Sequence, residues 1–303
     1  MNILPNGVYP TMLTPFDENG KIDYEDVERL IEFYHKNNTE GIFAVCQSSE
    51  MFYLTIDERV ELAKFIVDHA PKNMTIIASG HIADTIEQQI EDAKKIAAQG
   101  VHSYVFISNK LDPNNDGDDV FKKNAETILN AIPDYTFGIY ECPYPYKRIV
   151  SPELLKWCAQ TGRFSFLKDT CCDSRMIKQK LDAVKGSQLK IYNANSATLL
   201  ETLKMGASGF SGVMGNFHPD LYVWLCKNYE SQPEKAQLVS NFISIFSAIE
   251  CRMYPKCGKY SLKNKGIFKT DVSRVIKETE LPFSFMKEVE SLDRCAEYVS
   301  GLL

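Results

Sequence analysis

The sequence predicts an α/β protein: a (β/α)8 TIM barrel followed by a small C-terminal helical domain. Three observations carry that expectation. Short β-rich runs alternate with amphipathic helical stretches eight times within about 230 residues. No G-x-G-x-x-G follows the first strand, and a doubly wound open sheet rarely keeps so strict an alternation. Beyond about Ser231 the strand runs cease and helical patterns take over. The expected units are residues 1–230 for the barrel and 231–303 for the helical domain.

The elements follow in order. "GVYPTMLTPF" reads as the first strand, and "DYEDVERLIEFYHKNN" carries Val27, Leu30, Ile31 and Tyr34 at helical spacing. "GIFAVC" is strand two. Thr55 and Glu58 then form a T-x-x-E capping box that opens the second helix. "MTIIASGHI" is strand three; Thr85 and Gln88 repeat the capping pattern before a helix that stops at Gly100. "HSYVFIS" and "YTFGIYEC" are strands four and five, with "DDVFKKNAETILNAI" between them. Ser151 and Pro152 open the next helix as N-cap and first helical residue. "FSFLKD", "LKIYNAN" and "SGFSGVM" complete the strands, each followed by a helical run. In the C-terminal region, "PEKAQLVSNFISIFSAIE" and residues 282–303 read as helices, with Pro255, Gly258 and Gly266 as punctuation between them.

Composition narrows the function. A chain of 303 residues with 44% hydrophobic and 24% charged residues can bury a sizeable core. A net charge of −6 and the lack of a basic stretch argue against nucleic-acid binding, which needs phosphate neutralisation. No apolar run approaches the ~20 residues of a membrane span. The opening "MNILPNGVYP" lacks a basic segment followed by an apolar one, so a cytoplasmic location is expected. Nine scattered cysteines without a C-x-x-C are read as free thiols, with Cys171 and Cys172 as a buried pair at a helix start. The five histidines lack metal-ligand spacing, so no metal is expected.

Active sites of (β/α)8 barrels form at the C-terminal ends of the strands. In "GRFSFLKDTCCD" the apolar run of strand six ends on Lys168. Such a lysine is either a solvated exit residue or an amine held for chemistry. In a partly apolar pocket the amine loses charge stabilisation and becomes nucleophilic. A neutral amine condenses with a ketone to a Schiff base, whose iminium is an electron sink for making or breaking the adjacent C–C bond. Tyr140 ends the neighbouring strand five and can shuttle protons to the carbinolamine and the leaving alkoxide. No further cofactor is implied, because the iminium supplies the sink.

Together these residues resemble the dihydrodipicolinate synthase / N-acetylneuraminate lyase family of class I aldolases, over essentially the whole chain. "TPF" with its following D-x-x-G-x-x-D, "YECP", "FLKD", "MGASGFSGVMGNFHPDL" and "YPKCGKYSLKNKGI" carry the likeness by their order and spacing. The resemblance implies a small 2-keto acid substrate, pyruvate or a pyruvyl half, with Lys168 as the Schiff-base lysine and Tyr140 as the proton relay. The strand-two loop, Gln47, Ser48 and Ser49, would hold the substrate carboxylate through hydroxyl and backbone N–H groups. A homotetramer built as a dimer of dimers is also implied.

The sequence departs from the family around this centre. Gln47 replaces the hydroxyl that joins the tyrosine's relay, and an amide passes a proton less readily. Asn109 stands where strand four ends in a tyrosine, and Pro145 where the synthases place an arginine, with Lys147 and Arg148 shortly after. Ser196 and Ala197 replace the acidic residues of the sialic acid lyases. The expected protein is therefore a divergent lyase or aldolase acting on pyruvate or a sugar-acid-like 2-keto acid. The expected further substrate contacts are Asn109, Glu141, Tyr144, Asn193, Asn195 and Ser211. The alternatives are a Schiff-base dehydratase or deaminase on the same scaffold, or a catalytically weak barrel that binds a keto acid.

Overall fold

The computed structural model describes residues 3–278 and 280–303. Eight parallel strands form the barrel wall: β1 (Gly7–Val8), β2 (Gly41–Phe43), β3 (Thr75–Ala78), β4 (Ser103–Ile107), β5 (Phe137–Tyr140), β6 (Phe164–Asp169), β7 (Lys190–Asn193) and β8 (Gly209–Phe210). Their hydrogen-bonded order runs β1-β8-β7-β6-β5-β4-β3-β2. A parallel bridge between Thr11 and Phe43 closes the ring from the extension of β1 onto β2. The helices α1 (Tyr24–Lys36), α2 (Ile56–His69), α3 (Ile86–Ala97), α4 (Asp118–Ala131), α5 (Pro152–Gln160), α6 (Ser174–Ala183), α7 (Leu199–Lys204) and α8 (Pro219–Asn228) follow the strands in turn. Among the described residues no helix is long and apolar enough to cross a membrane.

The expected strand one is much longer than β1. Pro10 and Pro15 have no N–H to donate, so the ladder continues only as an isolated parallel bridge at Thr11, while Phe16 turns back to an antiparallel bridge with Ile22. At the β1–β8 seam Gly209 has φ +148, and a Cβ there would lie 1.8 Å from the Gly7 carbonyl oxygen, so only glycine fits.

Helix starts follow their capping residues. Thr55 Oγ1 accepts from Glu58 N at 3.2 Å while Glu58 Oε2 accepts from Thr55 N at 2.9 Å, which completes the capping box. At α3 only half of the expected pattern forms. Thr85 Oγ1 accepts from Gln88 N, but the Gln88 amide turns forward to Asp92 at 2.8 Å.

Aromatic rings fill the barrel below its C-terminal mouth. Phe166 stacks on Tyr192 at 4.9 Å between centroids, Tyr9 meets Tyr192 edge-on at 4.9 Å, and Phe43 meets Phe166 edge-on at 5.9 Å. Side chains alternate along a strand, so Phe166 and Lys168 share the inward face of β6. The lysine thus stands on a floor of rings.

The C-terminal region contributes α9 (Pro233–Phe246), a 3-10 turn over Ser247–Cys251, α10 (Lys256–Asn264) and α11 (Phe283–Ser300). α10 occupies a stretch that the sequence suggests as punctuation. Gly258 is a packing glycine there: a Cβ would come within 3.1 Å of Leu13 on the barrel. These helices share one apolar cluster with the barrel, in which Val8, Leu199, Phe210 and Tyr222 pack with Val239, Phe285 and Leu292.

Candidate active site

A cavity of about 660 Å³ opens at the C-terminal ends of the strands, the size of a small-molecule site. Lys168 and Tyr140 both line it and are each 4% exposed. They are register partners across β5 and β6. Lys168 Nζ lies 4.2 Å from the centroid of the Tyr140 ring. Among the described residues no carboxylate lies within ion-pair distance of that nitrogen. Burial holds its pKa below the ordinary lysine value, opposed by Cys46, Cys142 and Glu250. Tyr140 is steadied by Phe43, edge-on at 5.9 Å. Burial, then the thiols of Cys142 and Cys46, push its phenol well above the usual range, so at neutral pH it is a proton donor.

That phenol donates to Gln47 Oε1 at 3.0 Å. The Cys142 thiol approaches the same oxygen at 3.6 Å. Gln47 therefore serves as an acceptor at which the chain of proton donors ends. Ser48 also lines the cavity, with its hydroxyl on Thr11 Oγ1 at 3.0 Å. Among the described residues the backbone N–H groups of Gln47 and Ser48 donate to no protein acceptor, although neighbouring Ser49 and Glu50 both do. Two such N–H groups on the loop that lines the same cavity as Lys168 suit a substrate carboxylate.

Asn195 and Tyr144 complete the expected residues that the fold gathers at the cavity. Asn195 Oδ1 is held by Thr198 N and Oγ1, both at 3.1 Å. Tyr144, 56% exposed, stands at the rim with its ring edge-on to Phe52 at 4.9 Å. The other five are absent from the cavity wall and engaged elsewhere. Ser49 Oγ lies 2.9 Å from Met12 O and 2.5 Å from Ala44 O, locking the base of the strand-two loop. Asn109 Nδ2 reaches the carbonyls of Cys142, Tyr144 and Tyr146 and so shapes the loop after β5. Asn193 Nδ2 donates to Thr198 and Thr202, at 2.9 and 3.0 Å, and Ser211 Oγ donates to Tyr9 O at 2.9 Å.

Glu141 departs furthest from expectation. It follows Tyr140 directly, so strand alternation turns it outward, behind the wall. There Lys180 of α6 sits 2.6 Å from Glu141 Oε1 and 2.5 Å from Asp169 Oδ2, all three side chains fully buried. Burial and then Asp169 raise the Glu141 pKa, with Lys180 opposing. Burial alone would lower Lys180, but the two carboxylates outweigh it and its pKa is raised. Glu141 also accepts from Val150 N and Thr170 N, at 2.9 and 2.8 Å. The triad fastens the ends of β5 and β6 to each other, immediately behind Tyr140 and Lys168.

Arg148 does not replace the missing arginine, because it is tied to Asp112 at 2.7 Å and Asp118 at 2.9 Å. Lys147 does line the mouth, anchored on Thr170 O. Cys172 is exposed on the same wall and Cys171 is only half-buried, in contrast to the expected buried pair. The turn at Cys172, with φ +60, explains the difference by swinging one thiol outward.

The C-terminal region supplies wall residues that the strand-end reading missed. Glu250, Tyr254, Pro255 and Val275 line the cavity. Glu50 lines it too, yet its carboxylate is consumed: Oε1 pairs with buried Lys259, and Oε2 accepts from Ser273 Oγ, Arg274 N and Val275 N. Glu250 is different. It is half-buried, and among the described residues its carboxyl has no hydrogen-bond or ion-pair partner. Burial pushes it up to about 7, with Lys168 opposing. Its sequence signal matches that of Lys168, a charged residue closing an apolar run, "ISIFSAIE".

The family model for the dihydrodipicolinate synthetase family matches residues 4–279. The chain belongs to that family. Membership makes it an enzyme of the class I aldolase and lyase type. Among its relatives, the 4-hydroxy-tetrahydrodipicolinate synthase of Pseudoalteromonas atlantica is 24% identical over 284 residues, covering 91% of this chain and 93% of that protein. The protein of the same name from Coxiella burnetii is 26% identical over 271 residues, covering 86% and 89%. Among solved structures, the chloride-inhibited dihydrodipicolinate synthase of Acinetobacter baumannii complexed with pyruvate superposes with a TM-score of 0.84, at 22% identity and full coverage of both chains. The synthase of Thermotoga maritima gives 0.86 at 19% identity, covering 99% of this chain and 100% of that one. At these identities the superpositions establish the shared barrel.

Proposed function

We propose that this protein is a Schiff-base lyase or aldolase that holds pyruvate, or the pyruvyl end of a sugar-acid-like 2-keto acid, on Lys168. The observation that carries the reading is the lysine itself: buried, its pKa lowered, without an ion-pair partner among the described residues, and 4.2 Å from the ring of a protonated tyrosine. The amine attacks the keto carbon. Tyr140 gives a proton to the carbinolamine oxygen, and water leaves. The Gln47 and Ser48 N–H groups hold the carboxylate and orient the ketone. In the cleavage direction the iminium takes up the electron pair of the adjacent C–C bond.

The second substrate is where this chain parts from its relatives. Beyond Lys168 the wall presents Asn195, Tyr254 and Glu250, with Lys147 only at the rim and Arg148 tied away. Amide, phenol and carboxyl groups suit the hydroxyls of a sugar-acid chain better than the second carboxylate that the missing arginine would bind. Glu250 also favours one second reading, a dehydratase, because a carboxyl near pH 7 can protonate a departing hydroxyl.

Product analysis tests both readings. Incubation with a panel of C6 to C9 2-keto-3-deoxy sugar acids should release pyruvate and a shorter aldehyde if C–C cleavage occurs, and a 2,5-diketo acid that keeps every substrate carbon if water is eliminated. Conversion that persists in Lys168→Ala would overturn the Schiff-base reading for either reaction.

A further inference from the structure

Tyr140 and Gln47 alone do not complete the proton traffic of this cavity. Tyr140 donates to Gln47, and an amide oxygen hands a proton onward less readily than a hydroxyl. Forming or using the enamine nevertheless requires a proton to leave and rejoin the carbon beside the iminium. Glu250 faces the same cavity as Lys168, arrives from outside the barrel wall on the 3-10 turn after α9, and carries no internal partner among the described residues. Glu50, the other carboxylate of the lining, is fully occupied by Lys259 and the 273–275 backbone.

We propose that Glu250 is the acid–base residue that takes up and returns the proton at the substrate carbon next to the iminium. The proposal rests on the Schiff-base reading of Lys168. In the step, the C3–H bond of the iminium breaks and its proton passes to a Glu250 carboxylate oxygen. The C–H electron pair becomes the C2=C3 bond of the enamine, while the C2=N π pair settles on the Lys168 nitrogen. In reverse, the Glu250 carboxyl protonates C3 and the iminium re-forms. No oxidant or additional reactant is needed.

The surroundings suit this task. Burial raises the Glu250 pKa to about 7, so both protonation states are populated near neutrality. The titratable groups that sense its charge are Lys168 on β6, Tyr222 on α8 and Cys257 on α10. Tyr254, Lys147 and the ion-paired Glu50 share the cavity. Arg252, two residues along, turns away to Glu288 and the Phe285 ring. With substrate bound, Lys168 is an iminium, and the limb near pH 7 belongs to Glu250.

Exchange of the pyruvate methyl protons with D2O, followed by proton NMR at saturating pyruvate from pH 5.5 to 9, isolates this step. Borohydride trapping of the Lys168 adduct runs in parallel. The wild-type rate is expected to rise through a limb near pH 7 as the carboxyl deprotonates, then level off. Glu250→Gln, which removes no internal hydrogen bond, should keep the trapped adduct, lose at least tenfold in exchange and lose the limb. Glu250→Asp should restore part of both. An intact adduct together with unchanged exchange and the same limb in Glu250→Gln overturns this proposal alone. A wild-type chain that traps no adduct overturns the Schiff-base reading and this proposal with it. If Glu250→Gln fails to fold, a wild-type profile that is flat between pH 6 and 8 is itself decisive against the role.

Discussion

Replacing Lys180 with methionine probes how the reactive pair is held in place. Methionine keeps most of the stem volume and removes only the cation, so the perturbation is electrostatic. It leaves Glu141 and Asp169 fully buried on the outer face of β5 and β6 with no counter-charge. Breaking a buried ion pair from one side costs about 3–5 kcal/mol. At this chain length about 2–3 °C in Tm accompanies each kcal/mol, so a loss of about 6–15 °C is expected. The loss should depend on pH in a definite sense. Without Lys180 the opposing charge is gone and Glu141, already raised by burial, is raised further, so the fold binds more protons than the unfolded chain. Stability of the variant must therefore fall as pH rises, and the gap from wild type should be largest at pH 8 and shrink toward pH 5. Activity should drop further than stability, because displacing the two strand ends by about 1 Å costs on the order of 100-fold in rate. Urea unfolding of both proteins at pH 5 and pH 8 makes the measurement. A deficit under about 1 kcal/mol, or one that does not change with pH, would refute the positioning role of the triad.

Two further substitutions separate stability from chemistry. Tyr140→Phe deletes one neutral hydrogen bond to Gln47, about 1 kcal/mol, while the Cys142 thiol remains near the same oxygen. Its rate of iminium formation with pyruvate, read by timed borohydride quenching, should fall about 10²- to 10⁴-fold, and a near-wild-type rate would exclude the phenol as proton donor. His218 is buried against Tyr222, both of its ring nitrogens lack a partner among the described residues, and burial with Lys265 pushes its pKa down to about 3. The fold keeps it neutral while the unfolded chain protonates near 6.5, so it costs stability progressively as pH falls from about 6.5 toward 3. His218→Phe keeps the ring stacking and should gain about 2–3 kcal/mol relative to wild type between pH 7 and pH 4.5; parallel urea curves that show no such gain would contradict the assignment.

The barrel was legible because its alternation is written in local pattern: capping threonines, apolar helix faces and short β-branched or aromatic runs. Lys168 and Tyr140 were legible because each closes such a run on the inward parity of its strand. The same parity explains two of the misplaced contacts. Glu141 lies one residue beyond Tyr140, and Asn193 pairs in register with Asp169 rather than Lys168, so both belong to the outer face. Proximity to a strand end suggests function, but parity decides which side of the wall a residue serves. Asn109, Ser49 and Ser211 also stand at strand ends, but the fold spends their polar atoms on loop and strand carbonyls. Glu250 and Tyr254 were not reachable from strand ends, because only tertiary packing lays the turn after α9 over the mouth. The fate of Gln47 was half legible: its departure from a hydroxyl is plain in the sequence, but its position as the acceptor for Tyr140 needed the geometry.

The most direct test of the account is to reduce the protein with borohydride in the presence of pyruvate and locate the modified residue by peptide mass spectrometry. The account predicts a single pyruvate-derived adduct, carried on Lys168 and absent from Lys168→Ala. An adduct spread over surface lysines, one placed on Lys147 instead, or no adduct at all would contradict it.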